Sequence, residues 1–180
     1  MHRTCYGPDM NDRPVSILFV CLGNICRSPL AEGVFRAVVD AQGEASRFRV
    51  DSAGTGGWHA GSAPDPRSIA IAARHGIDIS GQQARQIRPQ DFAEFDVILG
   101  MDRSNVDDLR RVAPVQALPR IHLYLDFATR RVGDVPDPYY GGPEGFADVY
   151  RMIRVASEAL AGRAEWRESA PRSGHASSTM

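Results

Sequence analysis

The most informative absence in this sequence is lysine: all 21 basic residues among its 180 are arginine. Nucleotide-binding P-loops place a lysine on the phosphates of the nucleotide, and Schiff-base enzymes need a lysine amine as nucleophile. Both classes of site are therefore excluded, whatever the cause of the compositional bias.

Cysteine and histidine are scarce and scattered. Three cysteines do not make the disulfide framework of a small secreted protein, and they are Cys5, Cys21 and Cys26. The five histidines stand far apart and none pairs with a cysteine at metal-ligand spacing; they are His2, His59, His75, His122 and His175. We expect neither a metal nor a cofactor.

Long apolar runs and an excess of charge of one sign are also missing. No stretch approaches the roughly 18 apolar residues of a membrane span, and the net charge of −1 gives no reason to expect nucleic acid. Residues 1–14 form a polar extension without the apolar centre of a signal peptide, which predicts a cytoplasmic protein. Residues 166–180 are small and polar and predict a disordered tail, so a single domain is expected over residues 15–165.

Strand and helix patterns alternate along the domain. Short β-branched or apolar runs predict strands at Val15–Val20, Arg47–Ser52, Asp96–Met101 and Arg120–Leu125. Helical periodicity or helix-terminating residues predict helices at Pro29–Val39, Asp65–His75, Asp102–Val112 and Glu144–Leu160. This alternation predicts an α/β protein with a small three-layer fold, in which helices flank a four-stranded parallel sheet.

The stretch VCLGNICRSP (Val20–Pro29) joins the first strand to the first helix. Such a loop directs backbone N–H groups and the positive end of the helix dipole at one point, where an oxyanion binds. Five residues separate Cys21 from Arg27, which is about the length needed to wrap a phosphate, and an arginine can contact two phosphate oxygens at once. Gly23 and Asn24 both tolerate the left-handed backbone that turns N–H groups inward.

The same surroundings predict a reactive thiol at Cys21. A helix N-terminus and the Arg27 guanidinium favour the thiolate, and Ser28 can add a hydrogen bond to the sulfur. The hypothesis is covalent catalysis, in which Cys21 attacks phosphorus and forms a phosphocysteine. The alternative is a buried structural cysteine beside a helix-capping arginine; the glycine, the arginine and the Ser-Pro sequence together favour catalysis.

A second motif, VPDPYYGG (Val135–Gly142), supplies a candidate general acid. Two prolines stiffen the backbone around Asp137 and predict an exposed loop. Asp-Pro alone is ordinary turn chemistry. Next to a phosphate loop, however, Asp137 followed by Tyr139 and Tyr140 indicates an acid at the mouth of a slot for an aryl group.

At this point the sequence resembles the low-molecular-weight protein tyrosine phosphatase family. The likeness runs from about Val15 to Leu160 and rests on the motifs VCLGNICRSPLAE, DSAGT, WHAGSAPDPRS, HGI, ARQI, MDRSN and DPYYGG. It implies a four-stranded parallel α/β fold, no metal or cofactor, and a phosphotyrosine-containing protein as substrate. Bacterial members often oppose tyrosine kinases that control surface polysaccharide, so such a kinase is one candidate partner.

The resemblance also implies roles for individual residues. Cys21 would be the nucleophile, Arg27 the phosphate clamp, and Asp137 the acid and then the base that activates water. The remaining implied residues bind phosphate, wall the slot or support the loop: Leu22, Gly23, Asn24, Ile25, Cys26, Ser28, Ser52, Trp58, His75, Tyr139 and Tyr140. In the family, the cysteine at the place of Cys26 can form a disulfide with the nucleophile; the alternative here is a small buried side chain.

Three other functions remain open on the residues alone. A thiol-linked arsenate reductase on this scaffold needs further cysteines downstream, and none follows Cys26. A protein arginine phosphatase tends to carry threonine at the position of Ile25 and a single aromatic after the acid. A non-catalytic phosphate-binding module has no use for an intact set of nucleophile, clamp and acid.

Overall fold

The central element of the protein is a four-stranded, entirely parallel sheet. The structure is a computed structural model, and it describes residues 13–163 and 165–168. The strands are β1 (Val15–Cys21), β2 (Phe48–Gly54), β3 (Val97–Gly100) and β4 (Ile121–Leu123). Their order across the sheet is β2-β1-β3-β4. The chain therefore passes from β1 to β2 on one side and then crosses to β3 on the other side of β1. The loop after β1 therefore lies at a topological switch point, where open α/β sheets bind ligands.

Seven α-helices surround this sheet in the part of the chain that the structure describes. They are α1 (Arg27–Ala41), α2 (Pro66–Arg74), α3 (Asp91–Glu94), α4 (Arg103–Val112), α5 (Tyr124–Thr129), α6 (Pro143–Ala161) and α7 (Glu165–Glu168). The four longer helices and all four strands were predicted, and no end is shifted by more than about two residues. The predicted strand Arg120–Leu125 is shorter, because the chain turns into α5 at Tyr124, whose buried hydroxyl is 2.8 Å from Ser157 Oγ.

Successive side chains of β1 face opposite sides of the sheet and divide the core into two halves. Ile17 and Phe19 face one side of the sheet, where α1, α2, α5 and α6 pack. Leu18 and Val20 face the other side, against residues of α3 and α4. All four are fully buried. The sheet therefore lies between two helical layers, and the predicted three-layer α/β fold is confirmed.

The domain extends beyond its predicted end at residue 165. Trp166, on α7, is 9% exposed, packs edge-on against Phe48 and donates its indole N–H to Leu160 O at 2.6 Å. Trp166 therefore packs on the core. Residues 169–180 of the expected tail lie outside the described residues, as do residues 1–12 of the predicted extension. Arg13 is described, and its guanidinium pairs with Asp96 at 2.6 and 3.0 Å. Within the described ranges, every helix is too short or too polar to cross a membrane.

Candidate active site

The loop between β1 and α1 forms a nest of backbone groups at the carboxyl edge of the sheet. β1 ends at Cys21 and α1 begins at Arg27, with Cys26 as the N-cap residue and no side chain capping the helix. The N–H groups of the first turn thus have no side-chain acceptor and can serve an oxyanion. Asn24 has the predicted left-handed backbone, with φ of 54°. Gly23 does not; instead, a β-carbon there would stand 2.9 Å from the His59 ring.

A buried chain of hydrogen bonds holds the thiol and the loop. Cys21 Sγ lies 3.0 Å from Ser28 Oγ. The Asn24 amide donates to Ser28 Oγ at 2.8 Å and to Ser52 Oγ at 3.0 Å, and Ser52 donates to Glu32 at 2.7 Å. Burial raises the pKa of the Glu32 carboxyl above its usual value. These hydrogen bonds hold Asn24 in its left-handed backbone conformation and place the Ser28 hydroxyl next to the Cys21 sulfur.

His75 was expected in this network, and the structure places it elsewhere. It is the exposed C-cap residue of α2, and its ring stacks on Tyr150 with centroids 3.9 Å apart. Among the described residues, the acceptor for the Ser52 hydroxyl is the carboxylate of Glu32, one α-helical turn beyond the phosphate loop.

Arg27 is anchored at one nitrogen and free to act with its other edge. Its side chain is 3% exposed, and Nη1 donates to Asp102 at 2.6 Å and to Val135 O at 3.0 Å. Nη2 lies 3.4 Å from Asp137 Oδ2. Burial alone would lower the pKa of Arg27, but the charges of Cys21, Asp102 and Asp137 raise it. The guanidinium therefore stays charged inside the protein, held between the loop and Asp137.

The acid loop, residues 135–142, is attached to the rest of the site by Arg67 as well as by Arg27. The Arg67 guanidinium donates to Tyr139 O at 3.1 Å and lies over the Phe146 ring at 4.5 Å. Its other contacts are to Asp65, at 2.9 and 3.0 Å, which lower the pKa of that carboxyl. The Asp65 N–H in turn donates to Ile25 O at 2.7 Å. Arg67 thus links the acid loop to the phosphate loop.

These elements enclose one pocket above the thiol. Its lining includes all three residues with predicted catalytic roles, which are Cys21, Arg27 and Asp137. It also includes seven of the predicted phosphate- or substrate-binding residues, together with His59: Leu22, Gly23, Ile25, Cys26, Trp58, Tyr139 and Tyr140. Trp58 and Tyr140 are 74% and 94% exposed and stand at the rim. The pocket is polar at the bottom and aromatic at the mouth, which fits a phosphate carried on an aryl group.

The two cysteines of the loop differ in character. Both are buried and free. Burial raises the pKa of the Cys26 thiol to about 12, and the charges of Asp65, Cys21 and Asp137 add to this effect. This thiol therefore stays protonated at neutral pH. Cys26 is therefore a neutral side chain under ordinary conditions.

Sequence reasoning missed several residues of the site. Asp102 was predicted only as the first residue of a helix, yet it holds Arg27. Glu32, His59 and Arg67 were not predicted as residues of the site. Their positions in the sequence could have indicated two of these residues. Asp102 follows the carboxyl end of β3, where ligands bind, and Arg67 follows the Asp-Pro of the motif WHAGSAPDPRS. Within the described residues, no three histidine, cysteine or carboxylate side chains are grouped as metal ligands would be.

Comparison with known proteins agrees with this geometry. Residues 16–170 match the family model "Low molecular weight phosphotyrosine protein phosphatase". The phosphatase of that name from Schizosaccharomyces pombe is 46% identical over 141 residues, covering 77% of this chain and 90% of the relative. The low molecular weight protein-tyrosine-phosphatase YfkJ of Bacillus subtilis is 43% identical over 147 residues, covering 81% and 93%.

A solved structure gives the same result for the fold. A protein tyrosine phosphatase from Entamoeba histolytica, crystallised with Hepes in its active site, superimposes with a TM-score of 0.77 at 38% identity. The match covers 81% of this chain and 94% of that one. With a nucleophile loop, an anchored arginine and an aspartate in one pocket, and with matches over most of both chains, this chain belongs to the low molecular weight phosphotyrosine protein phosphatase family of enzymes.

Proposed function

We propose that this protein hydrolyses phosphotyrosine in proteins through a phosphocysteine intermediate on Cys21. The observation that carries the proposal is the meeting of three groups in one pocket: the Cys21 thiol, the Arg27 guanidinium and the Asp137 carboxyl. Nucleophile, phosphate clamp and proton donor are the set that phosphate transfer from an aryl ester requires.

In the first step, the Cys21 sulfur attacks phosphorus as the bond to the phenolic oxygen breaks. Asp137 in its protonated form gives its proton to that oxygen, so the product leaves as a neutral phenol. The Nε and Nη2 edge of Arg27 and the N–H groups of the loop stabilise the charge on the phosphoryl oxygens. Because Nη1 is held by Asp102 and Val135 O, this edge is oriented before substrate arrives.

In the second step, water hydrolyses the phosphocysteine. Asp137, now a carboxylate, takes a proton from the water as its oxygen bonds to phosphorus and the sulfur–phosphorus bond breaks. Ser28 Oγ, 3.0 Å from the sulfur, can donate a hydrogen bond to the departing thiolate. Inorganic phosphate then leaves through the open mouth of the pocket.

Substrate choice follows from the mouth of the pocket. Trp58 and Tyr139 offer flat apolar surfaces on which a phenyl ring packs, whereas phosphoserine has no ring to place there. Ile25 lines the pocket and offers no hydrogen bond to a guanidine group, which favours tyrosine over arginine as the bearer of phosphate. A tyrosine-phosphorylated bacterial kinase and a cytoplasmic site of action remain parts of the proposal.

The test is release of inorganic phosphate from three peptides of one sequence carrying phosphotyrosine, phosphoserine or phosphoarginine. Turnover confined to phosphotyrosine supports the proposal; preference for phosphoarginine would contradict the aryl slot and leave the covalent mechanism standing. Cys21→Ser serves as the matched control, since it should bind phosphate and lose turnover. Appreciable activity of Cys21→Ser, with its fold checked by circular dichroism, would refute the covalent mechanism.

A further inference from the structure

A second pocket adjoins the catalytic one and is larger. It has a volume of about 400 Å³, compared with about 170 Å³ for the catalytic pocket, and so falls in the range of ligand sites. It lies between the segment after β2, the segment leading into α3, and the last turn of α4. The proposed function assigns it no role.

The floor of this pocket is apolar and formed by buried side chains. Phe92 and Leu109 form it and are 3% and 0% exposed. Val112, at the end of α4, continues the apolar surface to the rim and is 63% exposed. Binding of an apolar side chain from another molecule on such a surface is favourable, because apolar area of both partners is removed from water.

The two pockets share a wall. Leu22 and Trp58 line both of them. The indole of Trp58 lies so close to Gly56 that a β-carbon there would be 1.7 Å from the ring. The ring therefore rests on bare backbone at the boundary between the pockets. A polypeptide whose phosphotyrosine enters the catalytic pocket must pass this wall.

We infer that the second pocket is a substrate subsite, which binds a bulky apolar side chain of the phosphotyrosine-containing polypeptide. This inference rests on the proposed function. We infer this occupant because the two pockets are continuous. Leu22 and Trp58 border both the phosphotyrosine and the second pocket, and an extended chain advances about 3.3 Å per residue. A residue a few positions from the phosphotyrosine therefore lies over Phe92 and Leu109.

The test uses a set of phosphotyrosine peptides in an alanine and glutamine background. A single phenylalanine is moved through positions up to about five residues before and after the phosphotyrosine, a span set by the reach of an extended chain. We expect kcat/KM to rise about tenfold at one position over the all-alanine peptide, the effect of one apolar side chain in an open pocket. Equal kcat/KM at every position would overturn the subsite.

Val112→Arg locates the effect. An arginine there adds a further positive charge at the mouth of the second pocket, beside Arg111, whose guanidinium already pairs with Asp108 at 2.9 Å. The ratio between the best phenylalanine peptide and the alanine peptide should fall to about one, since the apolar contact is lost. The matched control is Val155→Arg, because Val155 is also 63% exposed on a helix and lines neither pocket. It should keep the ratio.

Three results separate the inference from its rivals. A preference that survives Val112→Arg would assign it to the rim of the catalytic pocket and refute the subsite. A change in sedimentation of Val112→Arg with no change in the ratio would assign the second pocket to a second copy of this chain, which also refutes the subsite.

Hydrolysis of p-nitrophenyl phosphate, measured for each variant, tests the proposed function itself. Its absence in the wild type would refute that function, whereas equal kcat/KM for all peptides would refute the subsite alone.

Discussion

In the proposed mechanism the phosphate loop and the acid loop serve the same reaction, but they are built differently. In the phosphate loop Cys21, Arg27 and Ser28 are 3%, 2% and 0% exposed, and Asn24, which bonds to Ser28, is 2% exposed. In the acid loop Tyr139 and Tyr140 are 39% and 94% exposed. The comparison teaches that the two steps have different needs: the phosphoryl group requires a fixed cage, whereas the leaving group requires an acid that admits and releases a large substrate.

Arginine joins the two regions from both sides. Arg27 extends from the cage to Val135 O and Asp137, and Arg67 extends from α2 to the backbone of Tyr139. The exposed loop thus takes its position from two cations fixed in the rigid part. Variants at these residues should show whether the loops act separately.

The largest effect is expected for Arg27→Lys. A lysine cannot bind two phosphate oxygens in one plane, and it leaves Asp102 with a poorer partner. We expect kcat/KM to fall by about 10³–10⁵, the range reported for arginine contacts to a transferred phosphoryl group. The loss should be equal for phenyl and p-nitrophenyl phosphate, and inhibition by inorganic phosphate should weaken. A loss confined to the poorer leaving group would place Arg27 with the acid loop.

Asp137→Ala tests the acid loop and should impair proton donation to the leaving group. Hydrolysis of phenyl phosphate should slow by about 10²–10⁴, as expected on loss of a general acid. The loss should shrink for p-nitrophenyl phosphate, whose leaving group departs without a proton. Asp137→Asn is the matched control for shape, because its amide oxygen can still accept the Tyr139 N–H. Recovery of phenyl phosphate hydrolysis in Asp137→Asn would mean that Asp137 serves structure.

A smaller loss of the same kind is expected for Arg67→Met. Without the guanidinium, the backbone of Tyr139 loses a donor and Asp137 is less well placed, which should cost about tenfold and at most about 10²-fold. The loss should again grow as the leaving group worsens, a dependence that general destabilisation does not produce. Arg74→Met, on the same helix and exposed, should have no effect. A uniform loss in Arg67→Met would show that the acid loop is positioned without it.

The smallest effect on turnover is expected for Cys26→Ala. The high pKa of about 12 keeps this thiol neutral, so removing it should change kcat by no more than about twofold. Its effect should appear after hydrogen peroxide, which converts Cys21 to a sulfenic acid; attack by Cys26 would release water and form a disulfide. Wild-type protein should then recover activity with a thiol reductant, and Cys26→Ala should recover less. Equal recovery, with the loop peptide weighed by mass spectrometry, would leave Cys26 without a redox role.

The same contrast explains how far sequence reasoning reached. The phosphate loop was predicted because nucleophile, glycine and arginine stand within one short stretch whose spacing carries the chemistry. Contacts that fix it join distant parts of the chain: Arg27 and Asp102 are 75 positions apart, and Arg67 and Tyr139 are 72 apart. Such pairs depend on how helices pack on the sheet, which periodicity does not specify.

Short elements were missed for a related reason. Helix α3 has four residues and α5 has six, too few for a helical period to show. Trp166 looked like part of a polar tail because its neighbours are polar, yet its ring reaches the core beside Phe48. His75 was placed by resemblance alone, and it caps α2 instead of joining the loop.

Asp102 has a consequence for how this enzyme can change. One oxygen of its carboxylate caps α4 by accepting the Asn105 N–H at 2.8 Å, and the other holds Arg27 at 2.6 Å. In the proposed mechanism, the stability of α4 and the rate of turnover thus depend on a single side chain, so a substitution at this position that changes thermal tolerance also changes turnover. Asparagine would keep the cap and weaken the clamp, which makes position 102 a site where a well-folded, slow enzyme lies one substitution away.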